Sequence, residues 1–600
     1  MVIKVNEFSK TVDCDVLVVG SGAGGLSAAV TAAHGGARVI VIEKAASLGG
    51  ATSWSGGWMW TPGTSFAHDS GVRDDSEVRD YLRAVLGPRY DELRIESFLQ
   101  NAPKMVDFFQ AQTSLQFVPG AAIHDIYGDL PGAGTGYRSV GPKPINGRRV
   151  PRRLRSLLRR QLYETSFLGM GIMAGPDLQG FLAAAQGEVR GIVHAAQRVG
   201  IHFFDLLTKR RGMQFVNGTA LTARLAKSAI EVGVEFHVHT AANRLLVNGG
   251  RVTGVVATVP NGSIRFRASL GVVVATGGYP HDVERRARTF PRIPTGQEHW
   301  GLSPETCDGS GIRMAEAIGA HFSTDVESAA AWCPVSLVRY RNGKVRPFPH
   351  IMDRAKPGSI GVLRNGRRFV NEANGYYDYV AAMMEAIPEG EAIEAWQIAD
   401  SRAIRKYSLG MAKMRPVPLT PYLRSGYLVE GRTIGQLATK VGIDPDALER
   451  TVREFNEYAR VGTDPLFGRG TTPFNRYGGD ARIGPNPSLA PLELGPFYAV
   501  NIKPGSFGTF AGVATDERAR ALRADGSAIE GLHVVGSDQS SVMGGHYPSG
   551  GINLGPAMTF GFIAGRALTS EFLSLPTLGE ASVAPSESTM TAPVQGERRV

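Results

Sequence analysis

The chain has 600 residues, 43% hydrophobic and 20% charged, the make-up of an ordinary globular protein too long for one core. A net charge of +10 comes without any nucleic-acid-binding motif, and Cys14, Cys307 and Cys333 lie too far apart in sequence to suggest a disulfide framework or a zinc site. Glycine is the outlier at 75 residues, which predicts many tight turns and close approaches of bare backbone to a ligand.

The first residues, MVIKVNEFSKTVDCD, hold no apolar stretch of signal-peptide length, and no later run approaches a membrane span. A cytoplasmic enzyme is expected. Residues 15–44, DVLVVGSGAGGLSAAVTAAHGGARVIVIEK, predict a buried strand over 16–19, a glycine turn, a small-residue helix to about His34 and a second strand over 38–42. The turn carries Gly20, Gly22, Ala23, Gly24 and Gly25, and Glu43 and Lys44 close the second strand. In that order the glycines suit a pyrophosphate at the helix N-terminus, and Glu43 can accept from ribose hydroxyls.

Residues 48–60, LGGATSWSGGWMW, make a poor helix or strand but a good phosphate- and flavin-wrapping loop, with Gly50, Ala51, Thr52, Ser55, Gly56 and Gly57 as its contacts. Histidine is absent from 49–60, so a flavin there is expected to be held non-covalently. Residues 147–162 carry seven arginines. A solvated helix face is the plain reading, and a weak peripheral contact with an anionic membrane the alternative. His237 and His239 share a strand face without carboxylate or thiol company, so no metal site is expected.

Two later strand-and-glycine segments, GVVVATGGYP (271–280) and GLHVVGSD (531–538), read as further strands of the same sheet. They offer Ala275, Thr276, Gly277 and Gly536 to the cofactor, with Asp538 placed for a ribityl or ribose hydroxyl. Dinucleotide domains for NAD are usually contiguous. One completed near the far end of the chain resembles the two-dinucleotide-binding flavoproteins, so the cofactor is FAD. The expected fold is α/β: a Rossmann-like FAD domain over 10–290 and 501–573, an inserted α+β cap over 295–500, and a Pro/Ser/Thr/Ala-rich disordered tail over 574–600.

Residues 541–565, SVMGGHYPSGGINLGPAMTFGFIAG, set one phenol between glycine pairs just before a helix. This block resembles the corresponding part of the 3-ketosteroid dehydrogenases, within the fumarate reductase flavoprotein superfamily. Residues 117–150, 356–383 and 467–500 are similar to the family's other blocks, while 152–212 and 335–355 diverge. The resemblance implies that Tyr127, Tyr376, Tyr547 and Gly551 carry the chemistry, with Tyr137 and Tyr377 as alternatives to the first two. Gly551, Asn553 and Leu554 would also touch the flavin.

Desaturating a ketone needs a base for the α-proton, stabilisation of the carbonyl oxygen and a flavin N5 to take the β-hydride. The family assigns Tyr376 as base, Tyr127 as its tuner, and Tyr547 with the Gly551 N–H as the oxyanion pair. The implied reaction is 3-ketosteroid 1-dehydrogenation. Desaturation of a smaller cyclic ketone such as cyclohexanone, or a Δ4-type steroid reaction, is the alternative. Fumarate reduction fits less well, because the position that would hold its arginine is Pro548, and a flavin-binding protein without turnover would require three idle tyrosines. The sequence leaves open the ring bond, the electron acceptor and the oligomeric state.

Overall fold

A computed structural model describes residues 10–73 and 75–569, as a mixture of helices and strands. The expected tail at 574–600 lies outside the described residues. The first sheet is built from β1 (Lys10–Val19), β2 (Val39–Ile42), β3 (Glu235–His237), β4 (Gly262–Val274) and β5 (Ala528–Val534), with α1 (Ala23–His34) crossing from β1 to β2. These strands are parallel, in the order β5-β4-β1-β2-β3. Residues 16–19 and all of β2 are buried, which is why they read as unbroken apolar runs rather than alternating ones. Leu532 of β5 stands opposite Val272 of β4, so the two far ends of the chain share one sheet.

A second, seven-stranded sheet is largely antiparallel. Its central strand, Phe497–Thr509, pairs with Ala330–Arg339 along its second half, and its first half lies between Ala395–Ala399 on one edge and Val429–Gly431 on the other. The expected boundary at 500/501 falls inside this strand. Ile502 pairs with Ala395 and Thr509 with Ala330, so the strand's whole length is hydrogen-bonded into the second sheet. The chain rejoins the first sheet only afterwards, at Arg520–Leu522 and β5. A local apolar cluster that includes Ile360, Ile398, Leu437, Leu448 and Phe497 sits under one face of this sheet, and helix α2 (Tyr376–Ala386) packs on Ala330–Arg339.

Helix α3 (Leu554–Ala567) returns to the first sheet and lies against α1. A Cβ on Gly561 would stand 2.3 Å from the Gly24 carbonyl oxygen, and one on Gly565 2.7 Å from that of Ala28. Only glycine permits backbones this close. Gly24 itself abuts the Ala557 carbonyl, so both helices run the same way and begin at the same end of the sheet. Among the described residues no helix is long and apolar enough to cross a membrane.

Candidate active site

The turn after β1 is locked on three sides and open on one. Gly20 has φ +107°, and a Cβ there would sit 2.2 Å from the Ala275 oxygen; one on Gly25 would sit 2.2 Å from the Gly20 oxygen. Gly22 differs, with extended backbone and only Thr52 Oγ1 at 3.6 Å from its Cβ position. Its bare face at the start of α1 leaves room in which an anionic group could be held.

Neighbouring polar groups hold that turn. Ala23 N–H donates to Thr52 Oγ1 at 2.9 Å, and Gly49 N–H to Ser21 Oγ at 2.9 Å. Buried Glu43 accepts from Ser21 N–H and Oγ at 3.1 and 2.6 Å, and from Ala45 N–H at 2.8 Å. The adjoining loop makes a 3-10 turn over Gly50–Trp54, spanning Ala51 and Thr52, and leaves Gly56 exposed. Ser55 Oγ donates to the Thr52 carbonyl at 2.7 Å and accepts from Gly57 N–H at 3.1 Å.

Two expected cofactor contacts are otherwise engaged. Asp538 is fully buried and accepts from the N–H and hydroxyl of Thr276 and from the N–H groups of Gly277 and Gly278. Four donors fill a carboxylate, so Asp538 clamps the turn after β4 instead of facing a ribityl or ribose hydroxyl. Lys44 is ion-paired to Asp308 at 2.5 Å. Gly536 has φ +68° and the nearest atom to its Cβ position, that of Ala557, is 4.0 Å away, so this turn keeps its open face.

The catalytic candidates converge through two backbone clamps. The Pro548 carbonyl accepts from Tyr81 Oη at 2.6 Å and from Ile126 N–H at 2.9 Å, which straps the segment bearing Tyr127 to the turn bearing Tyr547. Buried Arg354 donates to the carbonyls of Glu372 and Asn374 and fixes the entry into α2, where Tyr376 is the first residue. Tyr376 Oη then donates to Tyr547 Oη at 2.5 Å, with the rings edge-on at 5.0 Å. Asn553 Nδ2 donates to the same Tyr547 oxygen at 3.3 Å. That oxygen accepts twice, so the Tyr547 proton is directed at a third group. Burial, reinforced for Tyr376 by its partner phenol, pushes both hydroxyls above the usual tyrosine range. Phe507 and Phe510 wall the pair.

Gly551 completes this corner. It has φ +104°, and a Cβ there would stand 2.7 Å from Trp60 N. Its carbonyl accepts from Trp60 N–H and Gly555 N–H, at 3.1 and 2.9 Å, whereas its own N–H has no protein acceptor among the described residues. That N–H, with those of Asn553 and Leu554, forms the mouth of α3.

Tyr127 does not reach Tyr376. Its hydroxyl donates to Asp378 Oδ1 at 2.8 Å, because a carboxylate one turn into α2 is a better acceptor than a phenol. Asp378 was not visible as a site residue in the sequence. It is half-buried, its solvent-shielded Oδ2 has no protein hydrogen-bond partner, and desolvation lifts its carboxyl to about 6. Of the alternatives, Tyr377 donates to the Gly545 carbonyl at 3.1 Å, and Tyr137 sits at φ +62° in the turn whose N–H bonds Gly120.

The chain matches the FAD binding domain family over residues 15–554 and belongs to it. It is 39% identical to a 4-oxocyclohex-2-ene-1-carboxylate 5-dehydrogenase of Sinomonas cyclohexanicum, over 93% of this chain and 94% of that one. It is 36% identical to a 3-oxosteroid 1-dehydrogenase of Mycobacterium tuberculosis, over 92% and 97%. The solved structure of 3-ketosteroid delta1-dehydrogenase from Sterolibacterium denitrificans, in complex with 1,4-androstadiene-3,17-dione, superposes with a TM-score of 0.85 at 32% identity, covering 93% of this chain and 99% of that one. The family resemblance read from the sequence blocks therefore holds, and the chain is an FAD-binding dehydrogenase.

Proposed function

We propose that this protein introduces a carbon–carbon double bond beside the carbonyl of a cyclic ketone, with a 3-ketosteroid as the first candidate substrate and position 1 as the bond oxidised. The observation that carries the reading is the Tyr376–Tyr547 hydroxyl pair at the mouth of α3, beside the free N–H of Gly551. The first sheet, with 10–290 and 510–569, would be the Rossmann-like FAD domain, and about 295–509 the cap. Gly20, Gly22, Gly25, Glu43, Gly50, Thr52 and Ser55 would hold FAD without a covalent bond, and bound FAD supplies the acceptor for the β-hydride.

The hydrogen-bond direction suggests how the proton moves. A ketone oxygen at Tyr547 Oη and Gly551 N–H would receive the Tyr547 proton. Tyr547 in turn takes the proton of Tyr376, and Tyr376 Oη takes the α-proton of the substrate. The ketone becomes an enol and neither phenol changes charge. That economy matters here, since burial disfavours a phenolate at either position. As the β-hydride departs, the enol proton passes to Tyr547, the Tyr547 proton to Tyr376, and the displaced Tyr376 proton to solvent, so the substrate loses one hydride and one proton in all.

A second reading concerns ring size. The Lys413 ammonium, pushed down to about 8 by burial against the opposing pull of Asp353, lies 5.4 Å over the Phe348 ring and makes no ion pair among the described residues. An unpaired cation suits a small ring ketone that bears a carboxylate, as in the Sinomonas relative. The test is anaerobic bleaching of the purified flavoprotein by 3-ketosteroids, 4-oxocyclohexanecarboxylate, cyclohexanone and succinate, with product NMR to locate the new bond. Bleaching by a steroid establishes the first reading. Bleaching by the carboxylated ring alone, weakened by Lys413→Met, establishes the second. Inertness to every ketone, with reoxidation by fumarate, overturns both.

A further inference from the structure

The helix Val189–Lys209 is amphipathic in the wrong sense for a protein in water. Its inward face carries Arg198, His202 and Asp205, all at least nine-tenths buried. Each is polar-bonded: Arg198 donates to Asp177 Oδ1 at 2.9 Å and to the Gly171 carbonyl at 3.0 Å, and His202 Nε2 meets the Leu168 carbonyl at 3.1 Å. Asp205 accepts from Arg148 at 2.6 Å and from Met213 N–H at 2.9 Å. The opposite face repeats apolar residues at helical spacing, and these face out: Val189 is 75% exposed, Phe204 59% and Leu207 85%, with Val193 and Phe203 between them. The stripe runs the length of the helix, about 30 Å for 21 residues. Anchoring by buried polar bonds fixes this orientation, so the apolar face is presented rather than misplaced.

Charge selects what covers it. Residues 147–211 hold twelve Lys and Arg against four Asp and Glu. Two of those four, Asp177 and Asp205, are neutralised by Arg198 and Arg148. The basic stretch is bonded to the C-terminal end of the same helix: Arg211 donates to the carbonyls of Arg155 and Leu158 at 3.1 and 2.9 Å, and Arg160 to that of Arg210 at 3.1 Å. A two-fold pairing of copies through this face would set like charges against each other. An anionic bilayer surface complements both the stripe and its basic flank.

We propose that the helix Val189–Lys209, with exposed Arg149, Arg152 and Arg153 beside it, is a monotopic docking surface for anionic phospholipid membranes. The helix lies in the headgroup plane with Val193, Phe203, Phe204 and Leu207 inserted. Membrane docking would place the enzyme at the phase where a lipophilic ketone dissolves, although the proposal stands for any substrate.

The test is flotation of the intact FAD-loaded protein with vesicles of phosphatidylcholine alone or with added phosphatidylglycerol. Wild type is expected to float with the anionic vesicles and to be released by high salt. The double variant Phe204→Asp/Leu207→Asp should lose about tenfold or more of that binding while keeping FAD and turnover of a water-soluble ketone. Arg152→Gln/Arg153→Gln should weaken binding to anionic vesicles selectively. Failure of wild type to float, or unchanged binding by the Asp variant, overturns the proposal. A concentration-dependent dimer in sedimentation velocity that the Asp variant abolishes would overturn it in favour of a second copy.

Discussion

Tyr127 and Asp378 are joined by a 2.8 Å hydrogen bond from phenol to half-buried carboxylate, tying the segment strapped to the Tyr547 turn to the first turn of α2. Burial raises the Asp378 carboxyl from 3.8 to about 6, against the lowering effect of that hydrogen bond. A raised carboxyl holds its proton more tightly in the folded protein. Its stabilising contribution is therefore complete below about 3.8 and lost as pH rises through about 6. Asp378→Asn keeps an acceptor for Tyr127 but removes the titration. The melting temperature of the variant relative to wild type should rise between pH 4.5 and pH 7.5, by the equivalent of about 1–3 kcal/mol. A constant difference across that range would show that Asp378 titrates normally.

The hydroxyl pair makes a prediction that separates proton movement from hydride transfer. Tyr547→Phe and Tyr376→Phe should each keep FAD and lower turnover by about 10²–10⁴-fold. Both should also stop exchange of the ketone's α-hydrogens with D₂O in the absence of an electron acceptor, followed by NMR. If Tyr376→Phe exchanges at the wild-type rate, the relay through Tyr376 is wrong and another group removes the proton.

The glycine cradle was legible because its constraint is local. A tight turn between an apolar strand and a small-residue helix requires glycine at Gly20 and Gly25 whatever lies around it. Asp538 was legible as a special residue but not in its direction. Sequence cannot say on which side of a turn a carboxylate lies, and this one points into its own protein. Asp378 was hidden because it is one of 55 acidic residues, distinguished only by burial and by a partner 251 positions away. The outward apolar stripe of Val189–Lys209 was hidden for a related reason. Its period identifies a helix face, while only tertiary structure shows which face turns inward.

Gly551 should tolerate no side chain. At φ +104°, with the Trp60 backbone 2.7 Å from a new Cβ, Gly551→Ala must distort the mouth of α3. A stability loss of about 1–3 kcal/mol is expected, together with a turnover loss larger than the melting shift accounts for. Gly36→Ala is the control. It has comparable backbone strain at φ +89° but open space around the Cβ, and should leave turnover unchanged. Equal effects of the two substitutions would remove the argument for a precise fit at Gly551.

Gly22 and Gly25 separate cofactor binding from packing within one turn. Alanine at Gly25 meets the Gly20 carbonyl at 2.2 Å, so Gly25→Ala should destabilise the apoprotein itself, by about 2 kcal/mol or more. Alanine at Gly22 meets only Thr52 Oγ1, at an ordinary 3.6 Å, with a backbone conformation open to any residue. Apo stability should then stay within about 0.5 kcal/mol of wild type. The methyl group would instead occupy the approach of the pyrophosphate to the start of α1, and FAD affinity measured by titrating apoprotein should fall by about tenfold or more. Retained affinity in Gly22→Ala would mean that the open face of the turn does not meet the cofactor.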